Sequence, residues 1–297
     1  MRPLTEQANP KTRDIDRRTS LEIVRLMNEE DQTVAQAVSV EVANIAEAVD
    51  AIAHRLAHGG RLFYVGTGTS GRLGVLDASE CPPTFGVSAD LVQGVIAGGE
   101  VALRQAVEAA EDDPAQGARD LEQRGVSSRD AVVAISASGN TPYTLGALRY
   151  AKQVGAAAIS LSCNPTSSMA ADADISIAPA VGPEVIAGSS RMKAGTAQKM
   201  ILNMLSTGTM IRLGLVYNNL MSNLRATNEK LRRRAREILA SETGISADEA
   251  SRLFREANED LKLALLIAQS GLDANAAREL LTTHNGSVRR ALESLGL

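Results

Sequence analysis

A loop rich in glycines and hydroxyls, Gly66-Thr-Gly-Thr-Ser-Gly71, directly follows the apolar run of residues 62–65. Glycines let the backbone curl, and the amide and hydroxyl groups of such a turn can point at an anion. We therefore predict that Thr69, Ser70 and Gly71 bind a phosphate group. Glu80 follows between Ser79 and a Pro-Pro sequence that predicts a turn, so a candidate acid or base lies close to the carrier of that phosphate.

A second loop of the same kind, Ser136-Ala-Ser-Gly-Asn-Thr141, follows the apolar run 131–135. Serine and threonine are also favoured at helix N-termini for backbone reasons alone, so this loop by itself would fit an ordinary helix cap. Two such loops, each leaving a strand of one sheet, favour a phosphate site. The predicted ligands in this loop are Ser136, Ser138, Gly139, Asn140 and Thr141.

Neither loop has the features of a nucleotide-binding site. A Gly-Lys-Ser/Thr sequence follows neither of them, which argues against nucleoside triphosphate chemistry. Gly66, Gly68 and Gly71 fit the dinucleotide pattern G-x-G-x-x-G, but the supporting acidic residue about 20 positions further on is not convincingly placed.

A third segment, Gly188-Ser-Ser-Arg-Met-Lys-Ala-Gly195, stands at the head of a long apolar-periodic pattern. Ser189 and Ser190 are candidate caps of that helix, and Arg191 and Lys193 fall in its first turn. Cations at this end oppose the helix dipole, so an anionic ligand explains them better than helix stability does. We predict that these four residues contribute to the binding site.

Several acidic residues are candidates for acid–base chemistry, and Glu80 is the best placed because it follows the first phosphate loop. Glu108 and Glu111 share a helix face at a spacing of three, and spacing alone does not choose between them. The other candidates are Glu100, Asp112, Asp113 and Glu184.

The composition restricts the class of protein. The net charge of −4 over 297 residues argues against general nucleic-acid binding, which requires a basic surface. We expect a cytoplasmic protein that does not enter a membrane, because the start has no secretory pattern and the sequence lacks an apolar run of about 20 residues. Two cysteines, Cys81 and Cys163, provide neither a disulfide framework nor a metal cluster, so we predict no metal site.

Short apolar runs alternate with helical patterns through the middle of the chain. Strands separated by helices predict a doubly wound parallel sheet with helices on both faces, which binds ligands at the carboxyl ends of its strands. The predicted strands cover 62–65, 91–96, 131–135, 156–161 and 175–177, and the predicted helices lie near 71–79, 100–110, 115–124, 142–154 and 166–172.

The two ends of the chain differ from this α/β pattern. The first ~20 residues are polar and predicted to be irregular, and one or two helices then lead to Gly59-Gly60. A helix over 191–213 carries an apolar stripe typical of a core or a dimer interface. From about residue 240 the pattern predicts a compact helical bundle, opened by the capping box Ser246-Ala-Asp-Glu249.

Taken together, these segments resemble the N-acetylmuramic acid 6-phosphate etherases, bacterial enzymes built on the sugar isomerase (SIS) fold. The resemblance covers nearly the whole chain, including a tail similar to a ubiquitin-associated (UBA) three-helix bundle. It implies a helical segment at 1–58, a SIS sugar-phosphate domain at 59–225 and a helical C-terminal domain at 226–297. Beside the loops above, the resemblance rests on Leu76-Asp-Ala-Ser-Glu-Cys-Pro-Pro-Thr, Asn203-Met-Leu-Ser-Thr-Gly, Asn219-Leu-Met and Ala226-Thr-Asn-Glu-Lys.

The resemblance also implies a reaction. The lactyl ether of N-acetylmuramic acid 6-phosphate would be cleaved by elimination and then hydration, giving N-acetylglucosamine 6-phosphate and D-lactate without a metal or cofactor. The catalytic glutamates of the family fall on Glu80 and Glu111, and the family pattern implies a homodimer. The alternatives are a non-catalytic sugar-phosphate-binding regulator of the SIS fold, like the glucokinase regulatory protein, and an aldose–ketose isomerase.

Overall fold

The computed structural model describes residues 4–223 and 228–297. The chain divides into two compact units. The first contains the residues up to Ser79 together with Ala89–Gly208, and the second contains Glu80–Ser88 together with Thr209–Leu297.

The first unit is built around a five-stranded parallel sheet with the strand order β2-β1-β3-β4-β5. Every residue of β1, β3 and β4 is buried, as expected for strands covered on both faces by helices. The predicted fold class and strand positions are confirmed. The strands are β1 Leu62–Gly66, β2 Val92–Ile96, β3 Ala131–Ile135, β4 Ala157–Leu161 and β5 Ile175–Ile177.

The strand order reverses direction between β1 and β3, which are neighbours in the sheet although β2 lies between them in sequence. Doubly wound sheets bind ligands at this switch point, in the crevice outside the carboxyl ends of the two strands. In the β1–β3 register Gly66 lies opposite Ile135, so the two predicted phosphate loops leave the sheet side by side.

The helices that carry or surround these loops begin before β1. Short 3₁₀ helices occupy Leu4–Glu6, Pro10–Thr12 and Ile15–Arg17, where an irregular segment was expected. The α-helices of this part of the chain are α1 Ser20–Asp31, α2 Val34–Ser39, α3 Val42–Ala57, α4 Gly68–Phe85, α5 Gly99–Ala102, α6 Pro114–Glu122, α7 Pro142–Gln153, α8 Ser168–Asp172 and α9 Lys193–Arg212.

Two predicted helices differ from the structure. Helix α4 does not stop at a Pro-Pro turn: it runs through Pro82 and Pro83 and ends at Phe85. The prolines remove two backbone donors, yet their fixed φ suits a helix, and the left-handed Gly86 closes it by donating to the carbonyl of Pro82 at 2.9 Å. The helix predicted over 100–110 is instead the short α5 and a separate 3₁₀ turn, Glu108–Glu111.

The C-terminal region of the second unit is helical, as predicted. Its helices pack around a core that includes Leu239, Phe254 and Leu265, and the Ser246 side chain caps α11 by accepting from the amide of Glu249 at 3.2 Å. Ala226 and Thr227 of the last family motif lie outside the described residues. The helices are α10 Glu229–Thr243, α11 Ala247–Glu256, α12 Leu261–Ser270, α13 Ala274–Thr283 and α14 Val288–Ser294.

Candidate active site

The loop after β1 lies tightly against the end of the sheet. A Cβ on Gly71 would stand 2.6 Å from Cγ1 of Ile96 and 2.7 Å from the carbonyl oxygen of Gly66, so only glycine allows this approach. The amide of Gly71 donates to the carbonyl of Thr67 at 3.0 Å and so starts α4. The hydroxyl of Ser70 donates to Oε1 of the buried Gln198 at 2.9 Å, which fixes the loop against α9.

The loop after β3 holds its own shape through hydroxyl contacts. Oγ of Ser136 accepts from the amide of Gly139 at 3.1 Å and lies 2.8 Å from Oγ1 of Thr141. Thr141 is the N-cap residue of α7, yet its side chain makes no capping hydrogen bond within the described part of the chain. The hydroxyl of an N-cap residue normally accepts from the first turn, so this helix N-terminus retains its capacity for an anion.

Two adjoining cavities open at this end of the sheet, and they share Thr67, Gly68, Thr69, Glu111 and Ser190. The first, which we call the hydroxyl lobe, has a volume of about 190 Å³. The second, the arginine lobe, has a volume of about 310 Å³, at the lower end of the range for small-molecule sites. The hydroxyl lobe is also lined by Ser70, Ser136, Ser138 and Thr141, and the arginine lobe by Arg72, Arg191, Glu108 and Ser189.

Glu111 is the carboxylate common to both lobes. It ends the 3₁₀ turn Glu108–Glu111, and its Oε1 lies 3.4 Å from the position that a Cβ on Gly68 would take. Burial raises the pKa of Glu111, a hydrogen bond with Thr67 opposes the rise, and the charges of Asp112 and Glu108 add to it. A carboxyl group with a raised pKa in a cavity is a candidate for proton transfer.

Ser189, Ser190 and Arg191 line the arginine lobe together with a second cation that the sequence reasoning missed. This cation is Arg72, the residue directly after the glycine- and hydroxyl-rich loop that follows β1. Its guanidinium donates to the carbonyls of Leu103 at 3.3 Å and Gln105 at 3.0 Å, which holds it on the wall of the cavity. The position of Arg72 inside the glycine-rich motif was the available signal.

The structure places Lys193 elsewhere than predicted. Its side chain is buried, and Nζ lies 2.7 Å from Oε2 of Glu30 instead of lining either lobe. The predicted serine cap of α9 is also wrong. The buried carboxylate of Glu184 accepts from the amides of Lys193 at 2.9 Å and Ala194 at 3.0 Å, so the protein itself supplies the anions at this helix start.

Glu80 is exposed near the end of α4 and lines neither the hydroxyl lobe nor the arginine lobe. Of the other predicted binding residues, Gly71, Gly139 and Asn140 also lie outside the linings and shape the loops instead. Oδ1 of Asn140, for example, accepts from the amide of Ser168 at 3.0 Å.

Thr5 and Glu6, from the segment expected to be irregular, complete the hydroxyl lobe. The carbonyl of Thr5 accepts from the amide of Gly188 at 3.2 Å, which joins this segment to the loop before α9. The contact spans most of the unit in sequence, and no local pattern indicates it.

The described residues show neither a metal-binding cluster nor a membrane-spanning helix. They contain no group of three or more His, Cys, Asp or Glu side chains arranged to hold a metal ion. None of the helices that the structure describes is both long and apolar enough to cross a membrane.

Comparisons with known sequences identify relatives over nearly the whole chain. Residues 44–152 match the glucokinase regulatory protein N-terminal SIS domain family, and residues 113–208 match the SIS domain family. The chain is 52% identical over 292 residues to the N-acetylmuramic acid 6-phosphate etherase of Clostridium botulinum strain Okra, covering 98% of this chain and 97% of the relative. It is 52% identical over 291 residues to that of Vibrio vulnificus strain YJ016, with coverages of 98% and 97%.

Solved structures agree with the fold. A phosphoheptose isomerase from Francisella tularensis superposes with a TM-score of 0.51 at 19% identity, covering 65% of this chain and 100% of that one. The phosphoheptose isomerase of Neisseria gonorrhoeae gives a TM-score of 0.51 at 19% identity, with coverages of 64% and 98%. At this level of identity the similarity shows the fold and does not identify the reaction.

Proposed function

Because the chain belongs to the N-acetylmuramic acid 6-phosphate etherases, we propose that its two lobes hold the phosphate and lactyl ends of their substrate, with Glu111 between them. The enzyme is a lyase that cleaves the D-lactyl ether of N-acetylmuramic acid 6-phosphate to N-acetylglucosamine 6-phosphate and D-lactate. The observation that carries the site assignment is that Glu111 lines both lobes.

The phosphate is proposed to bind in the hydroxyl lobe. Ser70, Ser136, Ser138 and Thr141 present hydroxyl groups there, and α7 begins beside them with its N-cap side chain unused for capping. Hydroxyl and amide donors at a helix N-terminus stabilise a phosphate through hydrogen bonds and the helix dipole. The loops that carry these residues leave β1 and β3, so the rigid sheet fixes their spacing.

The lactyl group is proposed to bind in the arginine lobe. Its carboxylate requires a cation, and Arg72 and Arg191 line this cavity with Ser189 and Ser190. An aldose–ketose isomerase has no need for a second anion site, so these arginines favour the etherase over that alternative.

The proposed chemistry begins with the open-chain sugar, whose aldehyde acidifies the proton on the neighbouring carbon. Glu111 removes this proton, the electron pair forms a carbon–carbon double bond, and the ether oxygen on the next carbon departs. Glu80 protonates the departing lactate and then takes a proton from the water that adds to the former ether-bearing carbon, while Glu111 returns its proton to the neighbouring carbon, so both carboxyl groups regain their starting states. The raised pKa of Glu111 makes its carboxylate a stronger base than that of an ordinary glutamate, which fits the first step.

Glu80 does not line the lobes of the described chain, so we propose a homodimer in which Glu80 of one subunit completes the site of the other. Its exposure near the end of α4 leaves it accessible to a second copy. We further propose a cytoplasmic enzyme divided into a helical segment at 1–58, a sugar-phosphate domain at 59–225 and a helical domain at 226–297.

The first test is D-lactate release from N-acetylmuramic acid 6-phosphate in water enriched in heavy oxygen. Elimination followed by hydration leaves the ether oxygen on lactate, so the label should enter the sugar product and not the lactate. Label in the lactate would contradict the proposed bond cleavage. Saturable substrate binding without lactate release would instead favour a non-catalytic regulator of the SIS fold.

A further inference from the structure

The N-terminal segment, residues 4–12, forms one wall of the hydroxyl lobe. Thr5 and Glu6 belong to the 3₁₀ turn Leu4–Glu6 and line this cavity opposite the loops after β1 and β3. Thr5 is completely buried, and its carbonyl accepts from the amide of Gly188 at 3.2 Å. The wall is therefore attached to the loop that also lines the arginine lobe.

A buried charged network fixes this segment in place. Nδ2 of Asn9 donates to Oε2 of Glu30 at 2.9 Å, and the same oxygen receives Nζ of Lys193 at 2.7 Å. The hydroxyl of Thr12 donates to the carbonyl of Val185 at 2.8 Å. Because these groups are buried and pair with one another, they hold residues 4–12 against the body of the unit.

Glu6 is exposed and is one of the residues that line the hydroxyl lobe. Its Oε2 stands 3.2 Å from the place that a Cβ on Gly188 would occupy, and Gly188 adopts the left-handed φ of +77°. Among the described residues, the Glu6 side chain has no hydrogen-bond or ion-pair partner, in contrast to the neighbouring Asn9 and Lys11. Its carboxylate oxygens can therefore accept hydrogen bonds from a ligand in the hydroxyl lobe, which Glu6 lines.

A carboxylate beside a phosphate site repels the phosphate, so a favourable contact of Glu6 must be with another part of the ligand. Carboxylate oxygens accept hydrogen bonds from hydroxyl groups, and those bonds are stronger than bonds between neutral groups. In the open-chain substrate, each carbon between the phosphate-bearing carbon and the ether-bearing carbon carries a hydroxyl. We propose that Glu6 accepts hydrogen bonds from these hydroxyls and so selects a phosphorylated sugar chain over phosphate alone.

This inference rests on the proposed phosphate site in the hydroxyl lobe, and the experiment tests the two separately. Glu6→Ala should raise the KM for N-acetylmuramic acid 6-phosphate about tenfold or more while kcat stays within about threefold, because a charged hydrogen-bond acceptor is lost in substrate binding. Competitive inhibition by inorganic phosphate should be unchanged or stronger, because one nearby negative charge is removed. Ser138→Ala should weaken the binding of both the substrate and inorganic phosphate.

Asp16→Ala is the matched control, since it removes an exposed carboxylate from the same end of the chain outside the cavity. This variant should leave unchanged both the KM for the substrate and the inhibition constant for inorganic phosphate. An unchanged KM in Glu6→Ala would overturn the proposal. Equally weakened binding of the substrate and of inorganic phosphate would also overturn it, because that result indicates a general disturbance of the lobe. If Ser138→Ala has no effect while Glu6→Ala raises KM, the contact of Glu6 stands and the phosphate placement fails.

Discussion

Subunits carrying Glu80→Ala and subunits carrying Glu111→Ala should restore each other's activity when they form mixed dimers. Glu111 lines both lobes of its own chain, whereas Glu80 is exposed outside them. In a twofold dimer with shared sites, one site of each mixed dimer takes Glu111 from one subunit and Glu80 from the other. That site is intact, and the second site lacks both carboxylates.

The expected magnitude follows from counting these sites. Random assembly of equal amounts makes half of the dimers mixed, and each has one intact site of two, so the mixture should recover about a quarter of the wild-type rate. Each variant alone should be inactive in D-lactate release. The recovered rate should be greatest at equal amounts of the two variants and fall toward zero at either extreme.

The assay requires subunits that exchange, so the two variants are co-expressed with different affinity tags and mixed dimers are purified through both. Purified mixed dimers should have about half of the wild-type rate. A mixture of Glu111→Ala with Glu111→Gln is the control and should stay inactive. Inactive mixed dimers of the first pair would refute the shared site, because they would show that Glu80 and Glu111 act within one subunit.

Three further outcomes follow from the same contacts. Ser138→Ala should raise KM about five- to tenfold with little change in kcat, as expected for one lost hydroxyl donor to a charged group; an unchanged KM would reduce the loop to a helix cap. Glu108→Gln should move the acidic limb of the pH profile of kcat/KM to lower pH, because the charge of Glu108 raises the pKa of Glu111 and the substitution removes that charge. If the acidic limb does not move, its pKa does not belong to Glu111. Burial opposes ionisation of Glu30, yet hydrogen bonds from Lys11, Lys193 and Asn9 lower its pKa from 4.5 to about 2. The stabilisation by Glu30 is therefore present above pH 4.5 and lost as the pH falls toward 2. Glu30→Gln should lower the free energy of unfolding by about 3 kcal/mol at pH 7. In denaturant titrations the free energy of unfolding of this variant should also fall less steeply between pH 4.5 and 2 than that of the wild type.

The strands and the two glycine- and hydroxyl-rich loops could be predicted because their signals are local. Buried parallel strands have continuous apolar runs, and a glycine- and hydroxyl-rich turn after such a run marks the carboxyl end of a strand. The strand order could not be predicted from these runs. The side-by-side position of Gly66 and Ile135 depends on the pairing of β1 with β3, which are separated in sequence by β2.

The prolines after Glu80 show the limit of local signals in another way. A Pro-Pro pair normally ends a helix or begins a turn, because proline lacks the backbone donor and restricts the residue before it. In α4 the helix continues to Phe85, and the left-handed Gly86 ends it. Cys81 and Phe85 are buried beside the prolines, so packing of this turn outweighs two missing hydrogen bonds.

Arg191 and Lys193 carry the same sequence signal and have different roles in the structure. Both are cations at the start of α9, where the helix dipole favours an anion, and from sequence both indicate a ligand. Arg191 is exposed on the arginine lobe, whereas Lys193 is buried against Glu30, a partner 163 residues away in sequence. A buried lysine without a partner is costly, so Glu30 and Lys193 require each other. Asn9 donates to the same Glu30 oxygen, so the buried pair is also connected to the segment that carries Glu6 and lines the hydroxyl lobe.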